Sequence, residues 1–224
     1  YPVMYRISAL DLVAGGMTLD ETLSLARLIE AEGADILNTG IGWHESTIPT
    51  IAHFVPRAAW GYATKALRKA VKLPLVTSNR INDPRVAEQL LSEGVADLVS
   101  MARPLLADPE FMKKARLDRG QSINTCIACN QACLDRIFRD QSASCLVNPR
   151  AGHEIEFETP PSPAPKRIAV IGGGAAGMNF AFNAAARGHS ITLFEAGNAL
   201  GGQLLMAREV PDKTEFDEML RYFN

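Results

Sequence analysis

Residues 167–195 constrain the fold more tightly than any other stretch of this chain. Arg167-Ile168-Ala169-Val170-Ile171 is a buried-type strand that runs directly into Gly172-Gly173-Gly174-Ala175-Ala176-Gly177. In this G-x-G-x-x-G pattern Gly172 permits a tight turn, Gly174 lets backbone approach a pyrophosphate, and Gly177 allows helix to lie close to strand. A helix is expected from Ala175 to Arg187, with its N-terminal amides aimed at the phosphate. The next strand, Ser190–Phe194, ends at Glu195, 18 residues past Gly177, where a carboxylate can hold a ribose hydroxyl. A glycine-rich turn without ligand is the plainer alternative, but it leaves the register of strand, glycines, helix, strand and acid unexplained. Leu200-Gly201-Gly202-Gln203 adds a second glycine turn of a kind found in FAD-binding chains, or else an ordinary loop pair.

The four cysteines all lie between residues 126 and 145, so they do not form a dispersed disulfide framework. Their spacing is Cys126-x2-Cys129-x3-Cys133, followed by a distant Cys145. Zinc sites usually draw on two separated pairs, whereas three ligands from one turn plus one from afar suit a [4Fe–4S] cubane. Zinc, and no metal at all, stay open as alternatives.

Before residue 120 the chain alternates short apolar strands (Val3–Ser8, Ala34–Asn38, Leu73–Thr77, Ala96–Ser100) with helical patterns. That alternation predicts an α/β fold with a parallel sheet and helices packed outside it. Thr18-Leu19-Asp20-Glu21 reads as a capping box, followed by a stripe of Leu23, Leu25, Ala26, Leu28 and Ile29. Asp83-Pro84 opens a second helix, with Val86, Ala87, Leu90 and Leu91 inward, and Asp108-Pro109 opens a third. Such units form the C-terminal half of a (β/α)8 TIM barrel, since a whole barrel takes roughly 250 residues. The expected organisation is a half-barrel over 1–119, a cluster segment over 120–158, a proline-rich linker over 159–165, and the start of a Rossmann-like domain over 166–224. Both ends read as cut, with no initiator methionine at Tyr1 and a helical pattern running into Asn224. The 224 residues are therefore not expected to turn over alone.

Barrel active sites lie at the C-terminal ends of strands, with phosphate at the last two loops. By position the candidates are Arg6 in the first strand, Trp43-His44-Glu45 after the second, Asn79-Arg80 after the third and Met101-Ala102-Arg103-Pro104 after the fourth. Arg80 and Arg103, with the Ala102 amide, suit a phosphate; solvated surface cations are the alternative. His44 is the candidate acid–base residue or a satisfied loop histidine, while His53, His153 and His189 read as structural or solvated. The net charge of −2 gives no reason to expect nucleic acid or an anionic membrane. No apolar run reaches the ~20 residues a membrane span needs, and no signal peptide is recognisable. A cytoplasmic location, with no obligate protein partner, is expected.

The segments Asn38–Glu45, Ser100–Pro104, Asn124–Cys133, Cys145–Arg150 and Gly172–Gly177 resemble the bacterial-type NADPH-dependent 2,4-dienoyl-CoA reductases, within the wider group of old yellow enzyme and trimethylamine dehydrogenase flavoproteins. The resemblance implies that NADPH reduces FAD, that the cluster passes electrons singly, and that FMN delivers hydride to an unsaturated acyl-CoA. It further implies that Arg6 approaches the FMN ring and that Arg80, Ala102 and Arg103 hold FMN or its phosphate. Cys126, Cys129, Cys133 and Cys145 would ligate the cluster, Gly174, Glu195 and Gln203 would contact FAD, and His44 would sit beside the substrate. The family's tyrosine partner comes from an earlier strand than this chain contains. The alternatives are a related enoate reductase or amine dehydrogenase, and a non-catalytic electron-transfer or zinc-binding module.

Overall fold

The four apolar segments before residue 100 pair in chain order into one parallel sheet, β1-β2-β3-β4, comprising Met4–Leu10, Ile36–Ile41, Leu75–Thr77 and Leu98–Val99. The computed structural model describes residues 1–43 and 45–224. Helices α1 (Leu19–Ala31), α2 (Gly61–Arg68) and α3 (Pro84–Ser92) separate successive strands, and the short α4 (Arg103–Ala107) follows β4. Arg6 pairs with Asn38, Asn38 with Val76, and Thr77 with Val99. Consecutive parallel strands joined by helices are the repeating unit of a (β/α) barrel wall.

One face of this sheet carries the core. Ile7, Ala9, Leu37, Ile41 and Leu75 pack with Ala26 and Ile29 of α1 and Ala63 and Leu67 of α2. Because strand side chains alternate, Arg6, Asn38 and Gly40 fall on the opposite face. The expected α1 stripe is narrower than its pattern suggests: Ala26 and Ile29 are buried, but Leu28 is 63% exposed.

The Thr18 capping box is formed, with the Thr18 amide donating to Glu21 Oε2 at 2.8 Å and the Glu21 amide donating to Thr18 Oγ1 at 3.3 Å. The Thr18 amide, and after it the Thr18 hydroxyl donating to Glu21 Oε2 at 2.8 Å, hold the Glu21 carboxyl below its usual range. Thr18→Ala is expected to cost about 1 kcal/mol, read as a fall in the denaturant midpoint at unchanged slope.

Residues Leu106–Asn224 form a second compact unit, the first being Tyr1–Leu105. The second unit contains α5 (Phe111–Arg116), a 3-10 turn at Gly120–Ser122, α6 (Leu134–Ile137), β5 (Arg167–Ile171), α7 (Ala175–Ala186), β6 (Ser190–Phe194), α8 (Gln203–Ala207) and α9 (Phe216–Phe223). Strands β5 and β6 are parallel, in register from Arg167–Ser190 to Ile171–Phe194. The cysteine segment shares this unit's core: Ile127 is buried with Met178, Leu204, Met219 and Leu220, and Cys129 and Val147 pack against them. The proline-rich stretch is tied to the end of α7 through Ser162 N to Arg187 O at 2.8 Å and Arg187 Nε to Pro160 O at 3.0 Å. Among the described residues no helix is long and apolar enough to cross a membrane.

Candidate active site and cofactor-binding residues

At the strand ends of the first unit, the loop after β1 and the loop after β2 are joined by a buried acid. Asp11 is 3% exposed and accepts from Ser8 Oγ at 2.5 Å, the Met17 amide at 2.7 Å and Trp43 Nε1 at 2.8 Å. Burial pushes the Asp11 carboxyl up, but these three donors outweigh it and hold it below the usual carboxylate range. Backbone bonds reinforce the junction: Gly42 N donates to Leu10 O at 2.7 Å, and Ser46 Oγ to Leu12 O at 2.8 Å. His44, the sequence's candidate acid–base residue, lies outside the described residues.

Arg6 lies across Gly40. A side chain at Gly40 would meet Arg6 Nε at 3.4 Å, so the glycine leaves room for the guanidinium. Asn38, its register partner, has a buried Oδ1 with no hydrogen-bond partner among the described residues. Arg80 is 4% exposed, with φ +57°, and its Nε donates to Val55 O at 2.7 Å. Arg103 Nη1 donates to Ile51 O at 3.0 Å. Both arginines that the sequence assigns to phosphate therefore brace the β2–α2 loop, a use not visible in their spacing. Ala102 is exposed, immediately before α4.

In the second unit three thiols precede α6, with Cys133 at its N-terminal boundary, and the fourth is Cys145. Burial pushes the Cys145 thiol up to about 11, against the amides of Val147 and Asn148; Cys126 and Cys129 add to the rise. Cys129 is raised by burial too, opposed by the Gln131 amide, with Cys126 and Cys133 contributing. The thiols thus lie close enough to feel one another's charge, and they are the residues that could hold a metal centre. Among the described residues no three His, Cys, Asp or Glu side chains meet the geometry of a single-ion site.

A polar clamp that sequence reasoning missed surrounds these thiols. Asp108 accepts from the Asn124 amide at 2.8 Å, the Glu110 amide at 3.0 Å and Lys114 Nζ at 2.6 Å. Asn124 Nδ2 donates to Val147 O at 2.7 Å and Ala107 O at 3.3 Å, while Asn148 Nδ2 donates to Leu106 O at 2.8 Å. Arg221 of α9 donates to the Ile123 carbonyl and Thr125 Oγ1 at 2.7 and 3.0 Å, and also to the Gln121 carbonyl. The legible signal was the pair of asparagines, each close to a cysteine.

The two glycine turns meet. Gly174 bridges to Gly201, Gly201 N donates to Gly173 O at 2.8 Å, and a side chain at Gly202 would stand 3.0 Å from Gly174 Cα. Gly172 has φ +99°, as its tight turn requires. Gly177 lies against strand backbone, so that an added Cβ would stand 1.9 Å from Gly172 O. Glu195 accepts from the Gly173 and Gly197 amides at 2.7 Å each, and these bonds, Gly197 first, hold its carboxyl below the usual range. Gln203 begins α8, directly after Gly202, and is exposed. Of the other histidines, His153 pairs with Glu156 at 2.9 Å, His189 Nδ1 takes the Lys166 amide at 3.0 Å, and His53 meets Phe54 edge-on.

Residues 1–122 match the NADH:flavin oxidoreductase / NADH oxidase family. The chain belongs to that family. Residues 170–224 match the NAD(P)-binding Rossmann-like domain, so this NADH:flavin oxidoreductase chain carries a parallel-sheet α/β segment of the flavin family and a dinucleotide-binding fold. Over 222 residues the chain is 41% identical to a metal reductase of Desulforamulus reducens, covering 99% of this chain and 33% of that protein. It is 38% identical over 218 residues to an NADH oxidase of Thermoanaerobacter brockii, covering 96% and 34%. A solved 2-naphthoyl-CoA reductase in complex with 2-naphthoyl-CoA superposes with a TM-score of 0.97 at 35% identity, covering 100% of this chain and 34% of that one. The chain thus spans about a third of the length of these relatives.

Proposed function

We propose that this chain is part of an NADPH-dependent flavoenzyme that reduces a carbon–carbon double bond conjugated to an acyl-CoA thioester, as in a 2,4-dienoyl-CoA. The observation that carries this reading is the likeness, over the whole chain, to a reductase of an aromatic acyl-CoA. In both substrates a thioester carbonyl conjugated to the reducible bonds accepts negative charge as hydride arrives.

The chain's residues fit the required groups. Arg6 and the unpartnered Asn38 Oδ1 offer a donor and an acceptor on one sheet face, matching a flavin ring that carries both. Arg80, Arg103 and the Ala102 amide suit the FMN phosphate. The paired glycine turns form a backbone cradle that any side chain at Gly202 would crowd, suited to the FAD pyrophosphate, with Glu195 accepting a ribose hydroxyl and Gln203 at the rim. Four neighbouring thiols, Cys126 buried and the other three half-buried, with Cys129 and Cys145 pushed up by burial, suit a cationic centre, which a [4Fe–4S] cluster would provide. When bound, FMN and FAD supply hydride transfer and the cluster supplies single-electron transfer between them. Arg6 then steadies negative charge on the flavin ring, and His44 delivers a proton to, or hydrogen-bonds, the developing enolate of the thioester.

The test is the full-length protein purified without oxygen. Flavin, iron and sulfide are expected, and NADPH oxidation is expected to depend on dienoyl-CoA. His44→Ala should lower thioester reduction by about 100-fold or more. Absence of iron, or NADPH oxidation indifferent to thioester, would overturn this reading. A second reading has a non-thioester acceptor, favoured by the metal reductase and NADH oxidase at 41% and 38% identity; it predicts equal turnover with dioxygen or an oxidised metal alone.

A further inference from the structure

We infer that Asp11 is a positioning residue for thioester reduction, acting through the Trp43 indole to fix the chain at Trp43, the residue next to His44 in sequence. The inference deepens the reading of His44 as the proton donor and rests on it.

Leu10 at the end of β1 and the two residues after it hold the chain at Gly42, Trp43 and Ser46. Leu10 O accepts from Gly42 N, Asp11 Oδ1 from Trp43 Nε1 at 2.8 Å, and Leu12 O from Ser46 Oγ. Ser46 N closes the turn by donating to Trp43 O at 3.1 Å. The turn is therefore set from outside, by a neighbouring strand end. Among the described residues, its side-chain anchor ahead of residue 44 is the indole N–H.

The anchor is built to be rigid. Asp11 is 3% exposed, yet both its oxygens are engaged, Oδ1 by Ser8 and Trp43 and Oδ2 by the Met17 amide. A side chain at Gly16 would stand 2.6 Å from Asp11 Cβ, so the loop closes tightly over the acid. The next residue, Leu12, has φ +57°, a left-handed conformation that a branched side chain adopts only where its surroundings force it. Trp43, by contrast, is 54% exposed. Packing does not hold a half-exposed indole in one rotamer; its hydrogen bond to a buried carboxylate does.

A carboxylate that served only loop stability would not need to reach an exposed ring. The alternative to positioning is a fold-stabilising acid whose bond to Trp43 is incidental, and the two differ in kinetics. In the full-length holoenzyme, Trp43→Phe keeps the ring and removes the N–H; Asp11→Asn replaces an acceptor for the Met17 amide with a donor. Each should lower kcat for thioester reduction about 10- to 100-fold with little change in KM, as expected of a displaced catalytic group. The solvent isotope effect on kcat should rise as proton delivery becomes limiting. The double variant should lie within about twofold of the worse single one, because both remove the same link. Wild-type kcat in Trp43→Phe, or losses that multiply in the double variant, would overturn the proposal, and Trp43→Phe decides it if Asp11→Asn does not fold. His44→Gln separates the two levels. Full activity there would overturn the proton-donor reading and this one with it, whereas a deep loss beside an unaffected Trp43→Phe would overturn only the role of Asp11.

Discussion

Gly177→Ala is expected to unfold or severely loosen the dinucleotide-binding unit, although alanine is the best helix former and position 177 is inside α7. The added Cβ would stand 1.9 Å from Gly172 O and 3.1 Å from Gly172 C. Both are backbone atoms, and Gly172 is fixed in turn by its amide bond to Phe194 O at 2.8 Å. Nothing flexible can yield, so α7 would have to lift from β5, uncovering Met178 and the core around it. Overpacking a core ordinarily costs about 1–3 kcal/mol; a backbone obstacle places this substitution at or above that upper value. Gly174→Ala is the instructive contrast. Its Cβ meets nothing within 4 Å, and φ is −76°, so the fold should tolerate it while the approach of a diphosphate is crowded. Thermal melting and FAD content of the full-length protein separate the two: Gly177→Ala should lose both, Gly174→Ala only FAD. A wild-type melting temperature in Gly177→Ala would show that the helix–strand contact yields to a methyl group.

The glycine loop was legible because its demands are local: a positive φ at Gly172, a missing Cβ at Gly177 and an acid in register are all written within 30 residues. The Thr18 capping box was legible for the same reason, and so was the alternation that orders β1 to β4. Helix α2 was not singled out, since Trp60 caps it without a side-chain hydrogen bond and no N-cap signature precedes it. The expected strand Ala96–Ser100 shrinks to Leu98–Val99, because apolar runs do not reveal where ladder bonds stop. Asp11 was passed over because its partners include Trp43, 32 residues away. Arg80 and Arg103 were placed at the right strand ends, but their bonds to Val55 and Ile51 carbonyls depend on a loop whose path no periodicity describes. Local chemistry is readable from sequence; the polar links between distant loops, which give a site its precision, are not.

The same distinction governs the cysteine segment, where spacing names four candidate thiols but not what gathers them. Asn124→Ala is expected to yield protein deficient in iron and sulfide, with all four cysteines intact. Asn124 stands two residues before Cys126, and its Nδ2 donates to the carbonyl of Val147, two residues after Cys145, at 2.7 Å. That bond joins the stretch bearing the first three thiols to the stretch bearing the fourth. The Asn124 backbone is pinned in turn by Asp108, which is 3% exposed and paired with Lys114 at 2.6 Å. Removing the amide takes a donor from both the Val147 and the Ala107 carbonyls, at about 1–3 kcal/mol for each carbonyl left unpaired, and frees the fourth thiol from the other three. Outer-shell losses of this kind typically weaken metal binding about 10- to 100-fold. Asp108→Asn should act in the same direction through a different bond, since it strips Lys114 of its buried counter-charge. Iron and sulfide analysis with visible absorbance, on protein purified without oxygen, reads both. The protein must also keep its melting transition, because a variant that merely unfolds says nothing about the cradle. Full iron and sulfide in a folded Asn124→Ala would mean that the thiols are gathered by the shared Ile127 core alone, and that the clamp between the two stretches is dispensable.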